Sequence, residues 1–131
     1  MKVLIDTNIW IHMATRPERL GKRTQKLLGN TRNEIWLSPL SILELHQAAR
    51  KGKWKSRFDV QTWVERSLRA VSLREAPVTL AVAMEAGTFE LPTGDPIDQL
   101  IVATAREMKI PLVTADQAII ASGCVEVIPN D

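Results

Sequence analysis

Short apolar runs that break off at an acid or a helix-starting pair constrain this chain more than any other feature. Lys2 to Ile5 is nearly all apolar and meets Asp6-Thr7-Asn8; Glu34 to Leu37 meets Ser38-Pro39; Pro111 to Thr114 leads through one small residue to Asp116. Runs this continuous lack the alternation of a half-exposed sheet, so they read as short strands covered on both faces. Stretches with helical periodicity separate them. That alternation predicts an α/β fold, an α/β/α sandwich around a central, mostly parallel sheet, in which ligand chemistry lies beyond the carboxyl ends of the strands.

The helical stretches have recognisable starts and stops. Pro17 to Leu28 reads as one helix, and Ser38-Pro39 supplies an N-cap and N1 proline for another running to about Lys51. Val60 to Ala70 places Val60, Trp63, Val64 and Leu68 at helical spacing, and Val71 to Leu73 follows as a strand. Pro77 opens a further helix. Asp95-Pro96 begins a longer one whose apolar positions, Ile97, Leu100, Ile101, Ala105 and Met108, recur up to Lys109. Asp116 to Ala121 is a short helix stopped by Gly123, and Cys124 to Ile128 is the last strand.

With 131 residues, 45% of them apolar, the chain suits a single domain spanning residues 1–131. Cys124 is the only cysteine, which excludes an intramolecular disulfide or a cysteine-based zinc site and fits a reducing, cytoplasmic setting. The apolar run before Asp6 is too short for a signal peptide or a membrane span, so the mature chain is expected to begin near Met1, with no membrane association. Net charge is +2, yet Arg16 to Arg74 holds 14 Lys or Arg against 5 Asp or Glu, and the remainder holds 3 against 10. One part of the chain is suited to a polyanion, while another concentrates carboxylates.

Asp6 and Asp116 each follow a strand and therefore share one rim of the sheet. Either can simply cap the helix after it. In Asp95-Pro96-Ile97-Asp98, Asp95 has the form of an N-cap, whereas Asp98 lies at the edge of the buried stripe near Ile101 and Val102. Glu44 falls one turn after Leu40 and one turn before Ala48 on an otherwise apolar helix; Ser41 to Glu44 also matches a capping box, but Ser38-Pro39 is the better helix start. A carboxylate in that position requires a cation. Four acids at one rim repel each other unless their pKa values rise or a divalent ion binds, and hard oxygen ligands without His or Cys favour Mg2+ or Mn2+.

Leu4-Ile-Asp6-Thr7-Asn8, Glu44-Leu45, Asp98-Gln-Leu-Ile101-Val-Ala103 and Val113-Thr114-Ala-Asp116, taken in order, resemble the PIN domain, most closely its VapC-type toxins. The resemblance spans nearly the whole chain. It implies a metal-dependent endoribonuclease in which Asp6, Glu44, Asp98 and Asp116 are the acidic quartet holding one or two Mg2+ or Mn2+ ions, with Thr7, Asn8 and Thr114 in support. Asp95 matches a further acid of many members, which either reaches the metal through water or only caps. Cleavage is expected to use water rather than a side-chain nucleophile and to leave a 5′-phosphate and a 3′-hydroxyl, with His12 and His46 as ordinary helix residues. The family more often has Arg at Gln99 and Ala at Val102, and the first departure bears on partner binding.

Arg50, Lys51, Lys53, Trp54, Lys55 and Arg57 form a basic and aromatic segment suited to RNA phosphates and base stacking, or else a solvated loop with Trp54 tucked into the core. Arg19, Lys22, Arg23 and Lys26 read as an exposed helix face. The resemblance further implies a cognate antitoxin and a homodimer, to which Trp10, Trp36 and Trp63 would contribute if they are not core. Two competing readings are a PIN nuclease that processes RNA without an antitoxin and an inactive RNA-binding domain; the second expects lost acids, and all four are present. The absence of GxxxxGK argues against a P-loop NTPase, and Asp6-Thr7-Asn8 in place of Asp-x-Asp argues against a haloacid-dehalogenase-like phosphatase.

Overall fold

The computed structural model describes residues 1–131. Five parallel strands, β1 (Lys2–Ile5), β2 (Glu34–Leu37), β3 (Arg74–Glu75), β4 (Leu112–Thr114) and β5 (Val127–Pro129), form one sheet in the order β3-β2-β1-β4-β5. Seven helices connect or flank them: α1 (Thr7–Thr15), α2 (Lys22–Gly29), α3 (Pro39–Arg50), α4 (Val60–Ala70), α5 (Leu80–Ala86), α6 (Pro96–Met108) and α7 (Gln117–Ser122).

The pleat divides the strand side chains between two cores, because successive residues of a strand point to opposite faces. Val3, Ile5, Ile35, Leu37 and Val113 enter one core with Ile9 and Trp10 of α1, Leu45 of α3, and Trp63 and Val64 of α4. Leu4 and Leu112 enter the other with Ile97, Ile101, Val102 and Ala105 of α6 and Ile119 of α7. Covering both faces explains the apolar interior of β1, β2 and β4, whereas the edge strand β3 is the charged and exposed pair Arg74–Glu75. No helix is long and apolar enough to cross a membrane.

Local chemistry sets most element ends. Ser38 accepts from the Leu40 N–H ahead of Pro39, Asp59 accepts from Thr62 N–H, and Gly123 closes α7 in the left-handed region at φ 68°. Four boundaries differ from the sequence reading. Pro17 to Leu28 is a 3-10 turn (Pro17–Arg19) and then α2, because the backbone is extended at Leu20 and Gly21. The third strand lies at Arg74–Glu75 rather than Val71 to Leu73, since those residues pair with Trp36 and Leu37 while Val71 still closes α4 by donating to Ser67 O. Thr79, whose hydroxyl accepts from Val82 N–H, starts α5, so Pro77 precedes the helix rather than opening it. The last strand is Val127–Pro129, displaced from Cys124 to Ile128 by its register against Leu112 to Thr114.

From β1 the chain moves outward through β2 to β3, then crosses back to β4 on the other side of β1. The β1–β4 boundary is therefore the switch point at which a parallel sheet opens a crevice beyond its carboxyl ends.

Candidate active site

Asp6 follows β1 and Asp116 follows β4, so the switch point brings them together across the sequence. Asp6 is 8% exposed. Its Oδ1 accepts from the Thr7 N–H at 2.8 Å, and its Oδ2 accepts from the Thr114 hydroxyl at 2.7 Å. The same Thr114 oxygen accepts from the Asp116 N–H at 3.1 Å, and the Asp116 carboxylate accepts from Ala118 and Ile119 N–H groups at the start of α7. Both acids thus cap helices, and both also line a cleft of about 750 Å³. Capping and a place in the cleft are not alternatives here.

Glu44 and Asp98 enter the same cleft from α3 and α6. Carboxylate oxygens of Glu44, Asp95 and Asp98 lie within 4.8 Å of one another. Asp95 caps α6 by accepting from Ile97 N–H at 2.9 Å, and it is drawn into this triad as well. Sequence spacing treated Asp95 as an accessory; the fold sets it as near to Glu44 and Asp98 as they are to each other. Thr7 turns its hydroxyl to the buried Ser41 on α3 at 2.8 Å, which fixes α1 against the helix that carries Glu44. Asn8 is exposed at the cleft wall.

Crowding has an electrostatic consequence. Asp98 is pushed up to about 7, first by burial and then by the negative charges of Asp95, Asp6, Glu44 and Asp116. Burial also raises Glu44, with Asp6, Asp95 and Asp116 adding to it against a hydrogen bond from Thr7. Asp6 is raised by burial and by Asp116, opposed by its bonds to Thr114 and Thr7. All three shifts disfavour the charged form. An all-oxygen donor set with this much unbalanced negative charge suits a hard divalent cation and lacks the His or Cys that softer metals select.

The cleft is lined by bases as well as acids. Lys53, Lys55, Arg16 and Arg19 line it, and none of the four is in an ion pair; the two in the structure are Arg74–Glu34 and Arg106–Glu85. Of the basic and aromatic segment, Lys53, Trp54 and Lys55 reach the cleft, whereas Arg50, Lys51 and Arg57 do not line it, and the Arg57 guanidinium lies 5.0 Å from the Phe58 ring centre. Trp54 lines the cleft and also packs edge-on against the buried Trp63 at 5.3 Å between ring centres. Arg16 was not singled out from the sequence, and Arg19 was grouped with Lys22, Arg23 and Lys26. The break at Leu20 and Gly21 separates it from them. His12 shares the cleft, its pKa lowered by burial and then by Arg19 and Arg16. Trp10 and Trp63 are core residues.

A family model described as "PIN domain" matches residues 3–121. The chain is 27% identical over 118 residues to Ribonuclease VapC22 of Mycobacterium tuberculosis, covering 88% of this chain and 87% of that protein. Among solved structures, a chain in the VapBC2 complex of Rickettsia felis bound to a promoter DNA fragment superposes with a TM-score of 0.70 at 19% identity, covering 100% of both chains. A chain of DNA-bound VapBC from Salmonella typhimurium gives 0.69 at 17% identity, covering 100% of this chain and 99% of that one.

Proposed function

This chain belongs to the PIN-domain family, and from that premise we propose that it is a divalent-metal-dependent endoribonuclease acting as the toxin of a toxin–antitoxin pair. The observation that carries this reading is the convergence of Asp6, Glu44, Asp95, Asp98 and Asp116 at the switch point, with Asp98 pushed to about 7. Likeness to a protein named as a ribonuclease, and to chains from toxin–antitoxin complexes, supports the activity and a cognate antitoxin as partner.

Glu44, Asp95 and Asp98 would hold the ion, with Asp6 and Asp116 at the adjoining rim. When bound, Mg2+ or Mn2+ supplies charge that balances the carboxylates and Lewis acidity towards a phosphodiester and its attacking water. Asp6 has little freedom to move, because both carboxylate oxygens are engaged by Thr7 and Thr114, and it would therefore add a fixed negative charge beside the site. A carboxylate not committed to the ion would take the proton from water and return it to solvent. Lys53 and Lys55 neutralise RNA phosphates, and the half-buried Trp54 offers its ring for stacking on a base.

The test is cleavage of single-stranded and structured RNA by the purified chain with Mg2+, with Mn2+ and with EDTA. Cutting only with the metals, leaving 5′-phosphate ends, and loss of cutting in both Asp6→Asn and Asp98→Asn with unchanged far-UV circular dichroism, is the expected result. Full activity in both variants removes the site assignment. Toxicity on expression that is relieved by the protein encoded beside it tests the antitoxin.

A further inference from the structure

Arg16 and Arg19 stand on a turn that has no strand to hold it. Arg16 follows α1, and the 3-10 turn Pro17–Arg19 closes through the Arg19 N–H to Arg16 O at 2.9 Å and the Leu20 N–H to Pro17 O at 3.0 Å. Leu20 is buried in the α1–α4 core and pins the far end of the turn. A turn with both its arginines exposed and free of ion pairs would wander unless something else fixed it.

That fixture comes from the segment after β5, more than a hundred residues away. Asn130 Oδ1 accepts from the Gly21 N–H at 2.7 Å, and Asn130 Nδ2 donates to Arg19 O at 3.1 Å, so one amide clamps the turn on both sides of Leu20. The Asp131 carbonyl accepts from Thr24 N–H at 3.1 Å, and the Asp131 N–H donates to the Thr24 hydroxyl at 3.2 Å. Gly21 has no Cβ to obstruct this approach, and a Cβ there would overlap the Asp131 backbone. Gly21 also offers α2 no side-chain cap, and Asp131 satisfies one of the helix's first N–H groups instead.

We propose that the Arg16–Arg19 turn is a grip for RNA backbone phosphates flanking the scissile bond, and that Asn130 is the positioning residue that latches it against the cleft. Arg16 and Arg19 line the same cleft as the acids and as Lys53 and Lys55. The cleft therefore combines carboxylates that repel phosphate without a metal with cations that attract it. This inference rests on the ribonuclease reading, and it concerns substrate holding rather than the chemical step.

The experiment measures binding of a fluorescent single-stranded RNA of about 20 nucleotides to full-length Asp98→Asn protein, alone and with Arg16→Ala plus Arg19→Ala, across a salt series. Loss of two phosphate contacts should weaken binding on the order of tenfold at moderate salt and reduce the slope of log K against log salt by about 1.4. In the otherwise wild-type chain with Mn2+, Asn130→Ala should raise KM for the same RNA severalfold while kcat holds. Asn130→Asp, which keeps the acceptor for Gly21 and loses the donor to Arg19, should fall between. Each variant is compared with its own parent, Asp98→Asn or wild type, for an unchanged circular dichroism spectrum and an unchanged response of Tm to Mn2+, which separates a displaced turn from disturbed acids. Binding and salt slope unaltered in the double variant, or KM unaltered in Asn130→Ala, overturn the proposal. If wild-type protein cuts no RNA with either metal, the ribonuclease reading fails by itself, and the binding series still decides the grip.

Discussion

Thr114 donates its hydroxyl to Asp6 Oδ2 at 2.7 Å and accepts the Asp116 N–H at 3.1 Å, so one side chain on β4 ties together two acids that lie 110 residues apart. Thr114 is fully buried. Thr114→Val keeps the shape and removes both bonds. Leaving a buried carboxylate oxygen and an N–H without their partner should cost about 1–3 kcal/mol, read as a lower urea midpoint at an unchanged m value. A change within measurement error would show that water reaches Asp6 freely.

Stability of the metal-free chain should fall as pH rises. Asp98 titrates at about 7 when folded against 3.8 when unfolded, and Asp6 and Glu44 are raised in the same direction. The folded state therefore holds protons that the unfolded state has released, and the sign of the linkage is fixed. The contribution is complete below about pH 4, declines through neutrality and is gone once the pH passes the folded value. After allowance for partial solvent screening, the difference between pH 5 and pH 8 in EDTA is about 1–2 kcal/mol, measurable by urea unfolding at the two pH values. Asp98→Asn should remove most of it and should melt higher than the parent at pH 8. A stability that rises with pH over this range would contradict the crowding of the acids.

Divalent ions should reverse that trend. An ion that binds the folded carboxylates and not the unfolded chain adds about 2.7 kcal/mol at a free concentration of one hundred times its Kd. The gain in Tm with Mn2+ should be larger at pH 8 than at pH 5, because protons compete for the same oxygens. Glu44→Gln and Asp98→Asn should each diminish it. An equal gain in those variants would place the ion elsewhere.

Gln99 makes a different kind of prediction. Its Nε2 donates to Ala86 O at 2.9 Å and to Phe89 O at 2.6 Å, and its Oε1 accepts from the Leu91 N–H at 3.2 Å. The amide therefore satisfies the backbone of the connection between α5 and α6, one residue after Asp98. Gln99→Ala should cost about 1–3 kcal/mol and speed amide hydrogen exchange across residues 86–91. An unchanged exchange pattern would show that the connection holds itself.

Local chemistry was legible wherever a residue acts on its own neighbours. Ser38-Pro39 at the start of α3, Asp95-Pro96 at the start of α6, Gly123 at the end of α7 and the full extent of β2 and α4 all follow from caps, turns and periodicity within a few residues. A shared rim for Asp6 and Asp116 was legible too, because acids that follow parallel strands must share one, whereas Glu44 and Asp98 sit on helices and only the resemblance gave reason to group them with that pair. What the sequence could not yield depends on partners distant in the chain. Arg74–Glu75 is a strand because Trp36 and Leu37 offer it hydrogen bonds, although Val71 to Leu73 are more apolar. Asp95 joins Glu44 because α3 and α6 pack together, which no spacing along either helix reveals. Arg19 faces the cleft because Asn130 holds its turn there, and an amide more than a hundred residues away leaves no periodic signal near Arg19. The sequence alone determined the alternation of elements and the strand-end places of Asp6 and Asp116, since those are properties of short stretches of backbone. Tertiary structure decided distances and charge balance between side chains, because these depend on the packing of whole elements against one another.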